Sequence, residues 1–110
     1  MREWVAQLRK GVIELAVLGA LRDREAYGYQ LVQRLNAVNG LAITESTVYP
    51  ILARLSHDGL VKVRAAPSPA GPPRRYYRLT ALGQTRLREM IHHWNHTQSA
   101  LNGLLQGDNS

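Results

Sequence analysis

The chain of 110 residues contains no cysteine. That excludes a disulfide framework, a thiolate metal site and a cysteine nucleophile, and it suits a reducing cytoplasm. A long hydrophobic run is missing as well. The most apolar stretch, GVIELAVLGAL, is 11 residues long, contains Glu14 and is far too short to cross a bilayer. Being apolar on nearly every side, it reads as a helix buried inside protein. No signal peptide is visible, so a cytoplasmic protein without a membrane partner is expected. There are no paired carboxylates in an apolar setting and no glycine loop able to cradle phosphate. An enzyme therefore has no support: no catalytic residue is assigned and no cofactor is expected. Acid is scarce where base gathers. From Arg54 to Arg88 there are eight cations, and Asp58 is the only acid.

What is present is positive charge, unevenly placed. The formal net charge is +6. A one-sided basic field attracts polyanions and steers their approach, although a solvated surface kept soluble by charge has the same composition. The length allows one small domain, which can fold alone but gains from a partner subunit.

The hydrophobic spacing predicts a mainly α fold with one β-hairpin. REWVAQLRK forms a short first helix, broken or bent at Gly11, and residues 12–22 form the buried one. In AYGYQLVQRLNAV, Leu31, Val32, Leu35 and Val38 recur at amphipathic spacing, and the helix stops at Asn39-Gly40. Leu41 to Ile43 is extended. Thr44 or Ser46 then caps a helix that buries Val48, Ile51, Leu52 and Leu55, tolerates Pro50 near its start and closes at Gly59. Residues 60–66 alternate as a strand, with Val61, Val63 and Ala65 on one side and Lys62 and Arg64 on the other. After the PSPAGPP loop, RRYYRL makes the return strand, with Tyr77 and Leu79 facing in. Thr80 caps a last helix from about Ala81 to about Leu105. Its apolar residues Leu87, Trp94 and Leu101, with Met90 and Leu104, keep a seven-residue period. Such a seam wants a partner helix. Residues 106–110 read as a frayed tail.

Helix, helix, turn, helix, strand, loop, strand, long helix is the order of a winged helix-turn-helix, with residues 1–80 as the DNA-binding domain and 81–105 as a dimerisation helix. In that fold the second helix of the motif enters the major groove and the hairpin is the wing. Ser46, Thr47 and Tyr49 then stand near the groove. Arg74, Arg75 and Tyr76 stand where a wing meets phosphates. Tyr29 and Arg54 are further candidates for phosphate contact. Each has a plainer reading: Ser46 and Thr47 as caps, tyrosines as edge fillers (Tyr27 above all), and Arg54 paired with Asp58 at helical spacing. His92 and His96 lie four apart, but both point away from the seam and lack a carboxylate companion, so a solvated face is expected and no metal site.

AYGYQL, STVYPILARLSHDGLV and GPPRRYYRLTALG, in this order and spacing, resemble the PadR family of bacterial transcription regulators over roughly residues 8 to 83. The single long helix after the wing is similar to the compact subgroup. The resemblance implies homodimers joined through the first and last helices, some acting as repressors of multidrug transporters that bind flat drugs at the dimer centre beside a tryptophan. Trp94, within HHWNH, falls at the matching position, with Ile13, Ala16, Gln98 and Leu101 as companions. An aromatic residue at seam spacing is equally interface core. The expected function is a transcriptional repressor that binds an inverted repeat of double-stranded DNA as a homodimer and is relieved by a small, planar, mostly apolar effector. A helical protein–protein adaptor built on the last-helix seam is the alternative.

Overall fold

In the computed structural model of the protein, residues 1–38 and 42–106 are described. Helix α1 (Arg2–Ala20) runs unbroken through Gly11, so the expected break does not occur. A glycine inside a helix costs about 1 kcal/mol relative to alanine, which the helix formers on either side outweigh. The apolar stretch is also less buried than its composition implies. Val17, Leu18 and Leu21 are fully enclosed, while Ile13, Leu15 and Ala16 are only partly covered.

A polar turn leads into β1 (Ala26–Tyr27), a two-residue strand that sequence periodicity did not reveal. Helix α2 (Gly28–Asn36) follows. Gln30 caps its entry, its side-chain oxygen accepting from the Tyr27 N–H at 3.2 Å. Leu31 and Leu35 face the core, whereas Val38 lies beyond the helix and is exposed. The expected stop at Asn39-Gly40 and the start of the extended piece at Leu41 lie outside the described residues, and Ala42 is left-handed at φ +46° instead of the expected extended backbone.

Helix α3 (Glu45–His57) starts at Thr44 and continues through Pro50. Val48, Ile51, Leu52 and Leu55 are buried as the spacing predicts. It ends in a left-handed turn. Gly59 sits at φ +77°; its N–H reaches the Ser56 carbonyl, and Leu60 N–H reaches back to Leu55 at 2.9 Å. A glycine is favoured there because a Cβ is strained at positive φ.

Strands β2 (Val61–Ala66) and β3 (Arg74–Leu79) form the expected hairpin. All pairing is antiparallel and the order is β1-β3-β2. Tyr77, Leu79 and Val61 turn inward. Helix α4 (Ala81–Leu105) begins at Thr80, whose Oγ1 accepts from Gly83 N–H at 3.0 Å and donates to the Gly59 carbonyl at 2.7 Å. Leu87 is buried, but every residue from 92 to 106 is exposed. The radius of gyration is 16.2 Å, against about 13 Å for a compact chain of this length. The distal half of α4 therefore projects from the body. Residues 107–110 of the expected tail lie outside the described residues. Among the described residues, no helix is long and apolar enough to cross a membrane.

Candidate nucleic-acid interface

One side chain ties the end of α2 to the approach of α3. Asn36 donates from Nδ2 to the Ile43 carbonyl at 2.7 Å and accepts from Ile43 N–H at 2.8 Å. A side-chain amide thus stands in for a strand partner and fixes the angle between the two helices. Arg34 anchors α2 from the other side, donating to the carbonyls of Ala20, Arg24 and Glu25.

Ser46, Thr47 and Tyr49 are exposed at the start of α3. The Thr44 hydroxyl lies 2.9 Å from that of Ser46 and 3.4 Å from that of Thr47. Thr44 therefore organises the first turn through hydroxyl contacts, without a side-chain bond to a helix N–H. Tyr49 packs its ring onto Gly28, where any Cβ would overlap it. Gly28 thus allows α2 and α3 to approach closely, a role its place in AYGYQL did not disclose. Desolvation, with Glu45 nearby, raises the Tyr49 phenol above its ordinary pKa, so the hydroxyl stays a donor at neutral pH. Tyr29 is exposed on the first turn of α2.

Arg54 does not pair with Asp58. It turns to Glu14 of α1, forming an ion pair between the two helices. The tertiary approach of α1 supplies a carboxylate that local spacing could not show.

On the wing, Arg75 is exposed and has no ion-pair or hydrogen-bond partner among the described residues. Arg74 lies over the Tyr27 ring, 4.3 Å from its centroid. Tyr76 is half-buried: Tyr27 meets it edge-on at 5.4 Å, and Arg64 lies over it at 4.7 Å. Tyr27 packs, as its plainer reading held. The loop between the strands carries four prolines. Ser68 donates to the Ala70 carbonyl at 2.9 Å, and Gly71 turns the tip at φ +93°. A stiff tip costs little entropy on contact.

A second feature lies between α1 and α4. An open apolar cavity of about 470 Å³ is lined chiefly by Leu8, Val12, Leu15, Met90, His93 and Trp94. A smaller one of about 310 Å³ adjoins it, bounded by Val12, Leu15, Ala16 and Trp94. Trp94 and Ala16 are thus brought together. Ile13 is turned the other way, into a cleft it shares with Glu14, Thr47 and Arg54. Gln98 and Leu101 lie farther along the exposed part of α4 and line neither cavity. Leu8, Val12 and Leu15 were missed, although their i, i+4, i+7 spacing is a helical stripe. Among the described residues, no group of three or more His, Asp or Glu side chains is placed to hold a metal ion.

Comparison with known proteins adds a family match. Residues 17–89 match the Transcriptional regulator PadR-like family. A PadR family transcriptional regulator from Eggerthella lenta superposes with a TM-score of 0.86 at 34% identity, covering 97% of this chain and 93% of its own. A transcriptional regulator of Mycobacterium tuberculosis is 34% identical over 83 residues, 76% of each chain. Bacillus subtilis PadR, solved in complex with operator DNA, superposes with a TM-score of 0.67 at 27% identity, covering 73% of this chain and 46% of that one.

Proposed function

The chain belongs to the PadR-like family of transcriptional regulators, and from that premise we propose that it is a repressor which binds an inverted-repeat operator as a homodimer and releases it when a small, planar, mostly apolar effector enters the dimer centre. The observation that carries the DNA-binding part is the pairing of an exposed α3 N-terminus with an exposed basic wing on one winged helix-turn-helix. Ser46, Thr47 and Tyr49 read base edges in the major groove. Arg75, Arg74 and Tyr29 contact the phosphate backbone. Arg54, already neutralised by Glu14, contributes less. The operator complex of the Bacillus subtilis relative supports a duplex DNA partner.

Dimerisation rests on surface chemistry. Trp4 is 60% exposed, Leu101 49%, and Leu104 and Leu105 78% each. So much apolar surface on two neighbouring helices supports an interface there. A second copy related by a two-fold axis would cover it with the same residues and would make α4 the dimerisation helix. Footprinting on a duplex selected from a random library tests the reading. Two symmetric half-sites about one DNA turn apart support it, whereas one asymmetric half-site, or a monomer in sedimentation, contradicts it.

Trp94 is 41% exposed beside two apolar cavities, and stacking adds about 0.5–1.5 kcal/mol per ring pair beyond area burial. With Trp4 changed to Phe, Trp94 is the only indole reporter. Planar dyes are expected to quench its fluorescence and weaken operator binding over the same concentration range. Trp94→Ala is expected to weaken dye binding roughly tenfold. A full ligand response in that variant would make Trp94 interface core alone.

A further inference from the structure

The outer face of the sheet carries four cations, Lys62, Arg64, Arg74 and Arg78, with Glu25 beside them and Asp23 in the cleft that Glu25 shares with Arg78. The strand register sets Lys62 directly opposite Arg78. Like charges facing each other across strands are unfavourable, so this face is not arranged for stability. Glu25 does not relieve that pair first. Its carboxylate takes Arg64 in a two-point fork, Nε donating to Oε2 at 3.0 Å and Nη2 donating to Oε1. The Arg64 guanidinium also lies over the Tyr76 ring, so it is held by its edge and by its face. The bond to Arg64 keeps the Glu25 carboxyl below its ordinary pKa, so it is ionised at neutral pH. Exposed ion pairs contribute little to folding.

The consequence lies in what Arg64 is kept from. It sits two residues from the end of β2, the strand that leads into the wing loop. A free arginine there adds a contact to phosphate, which raises affinity for every sequence alike. We propose that Glu25 is a specificity-determining residue: it withholds Arg64 from the phosphate backbone, lowers binding to random DNA and leaves discrimination to the first turn of α3. The proposal rests on the DNA-binding reading given above.

Binding of the full chain to a random-sequence duplex, followed by fluorescence anisotropy from about 50 to 200 mM salt, tests it. Glu25→Gln is expected to tighten random-DNA binding about three- to tenfold at the low-salt end and to steepen the salt slope by close to one unit. Arg64→Gln alone bares the Glu25 carboxylate and is expected to bind random DNA no more tightly than the parent, and combined with Glu25→Gln it is expected to cancel the gain. Arg64→Lys keeps the charge but loses the fork, so it is expected to shift in the direction of Glu25→Gln with Glu25 intact. This second route holds if Glu25→Gln fails to fold. Unchanged or weaker random-DNA binding in both Glu25→Gln and Arg64→Lys overturns the proposal. So does a gain from Glu25→Gln that persists in the Arg64→Gln background, because Arg64 would then not be the group released. A wild-type protein that shows no salt-dependent DNA binding overturns the DNA-binding reading together with this one. A wild-type protein that binds, with variants indistinguishable from it, overturns this one alone.

Discussion

Replacing Gly83 by alanine is expected to destabilise the protein by about 2–3 kcal/mol, a fall in melting temperature of roughly 10–20 °C for a domain of this size. Gly83 is buried in the first turn of α4, against the start of β2. A Cβ there would overlap the Leu60 carbonyl oxygen and lie 3.1 Å from the carbonyl carbon and 3.4 Å from the Leu79 Cβ. The carbonyl cannot retreat freely, because it accepts from Thr80 N–H at 3.1 Å. Thr80 is itself tied to the Gly59 carbonyl and to Gly83 N–H. Relief of the clash therefore lifts α4 off the hairpin or breaks its cap. Helix propensity alone favours alanine by about 1 kcal/mol, so the steric term decides the sign. Gly11→Ala isolates the propensity term, since a Cβ there meets nothing within 4 Å; that variant is expected to be as stable as the parent or slightly more so. Thermal unfolding followed by circular dichroism measures both. Equal melting temperatures for Gly83→Ala and the parent would mean that α4 does not dock on Leu60.

The second large effect concerns the wing. Changing Arg74 and Arg75 together to alanine is expected to weaken binding to operator and random DNA alike, by roughly 100- to 200-fold at low salt. That magnitude takes about 1.5 kcal/mol as the value of each charge-assisted contact. The salt slope is expected to become shallower by close to two units, one per phosphate lost. The geometry divides the effect unequally. Among the described residues Arg75 has no partner, whereas Arg74 rests on the Tyr27 ring and gives up that contact to reach DNA. Arg75→Ala should therefore account for more than half of the loss. Thr47→Ala is the counter-case, since it should lower operator binding while leaving random-DNA binding near the parent's. If the double wing variant keeps both affinity and slope, the strand is only a charged edge that resists aggregation.

Local features of this fold were legible in the chain because local physics determines them. The stripe Val48, Ile51, Leu52 and Leu55, the cap at Thr80, the reversal at Gly59 and the in–out alternation of Tyr77 and Leu79 all follow from neighbours within a turn or two. Strand β1 has two residues and therefore no period to read. Helical spacing pointed Arg54 at Asp58, but α1 brings Glu14 close from 40 residues away. Arg64 likewise finds Glu25 across 39 residues. Long side chains choose partners after the helices and strands have packed, so charge patterning along the chain misses such pairs. Glycines divide in the same way. Gly59 is readable from its place after a helix, while Gly28 and Gly83 are required by a neighbour that only packing supplies. At the candidate effector site, the α4 seam pointed to Trp94 as interface core, and only the family resemblance suggested a ligand. The apolar stripe of α1 that faces Trp94, Leu8, Val12 and Leu15, depended on how the two helices cross.

Dimeric, sequence-specific DNA binding is tested by titrating the protein into a duplex selected from a random library, at several salt concentrations and with the complex mass determined. The expected result is two chains bound to one inverted repeat, half-sites roughly 34–36 Å apart, and a binding constant whose logarithm falls linearly with the logarithm of salt. A single chain per duplex, or binding that is indifferent to both sequence and salt, would contradict it.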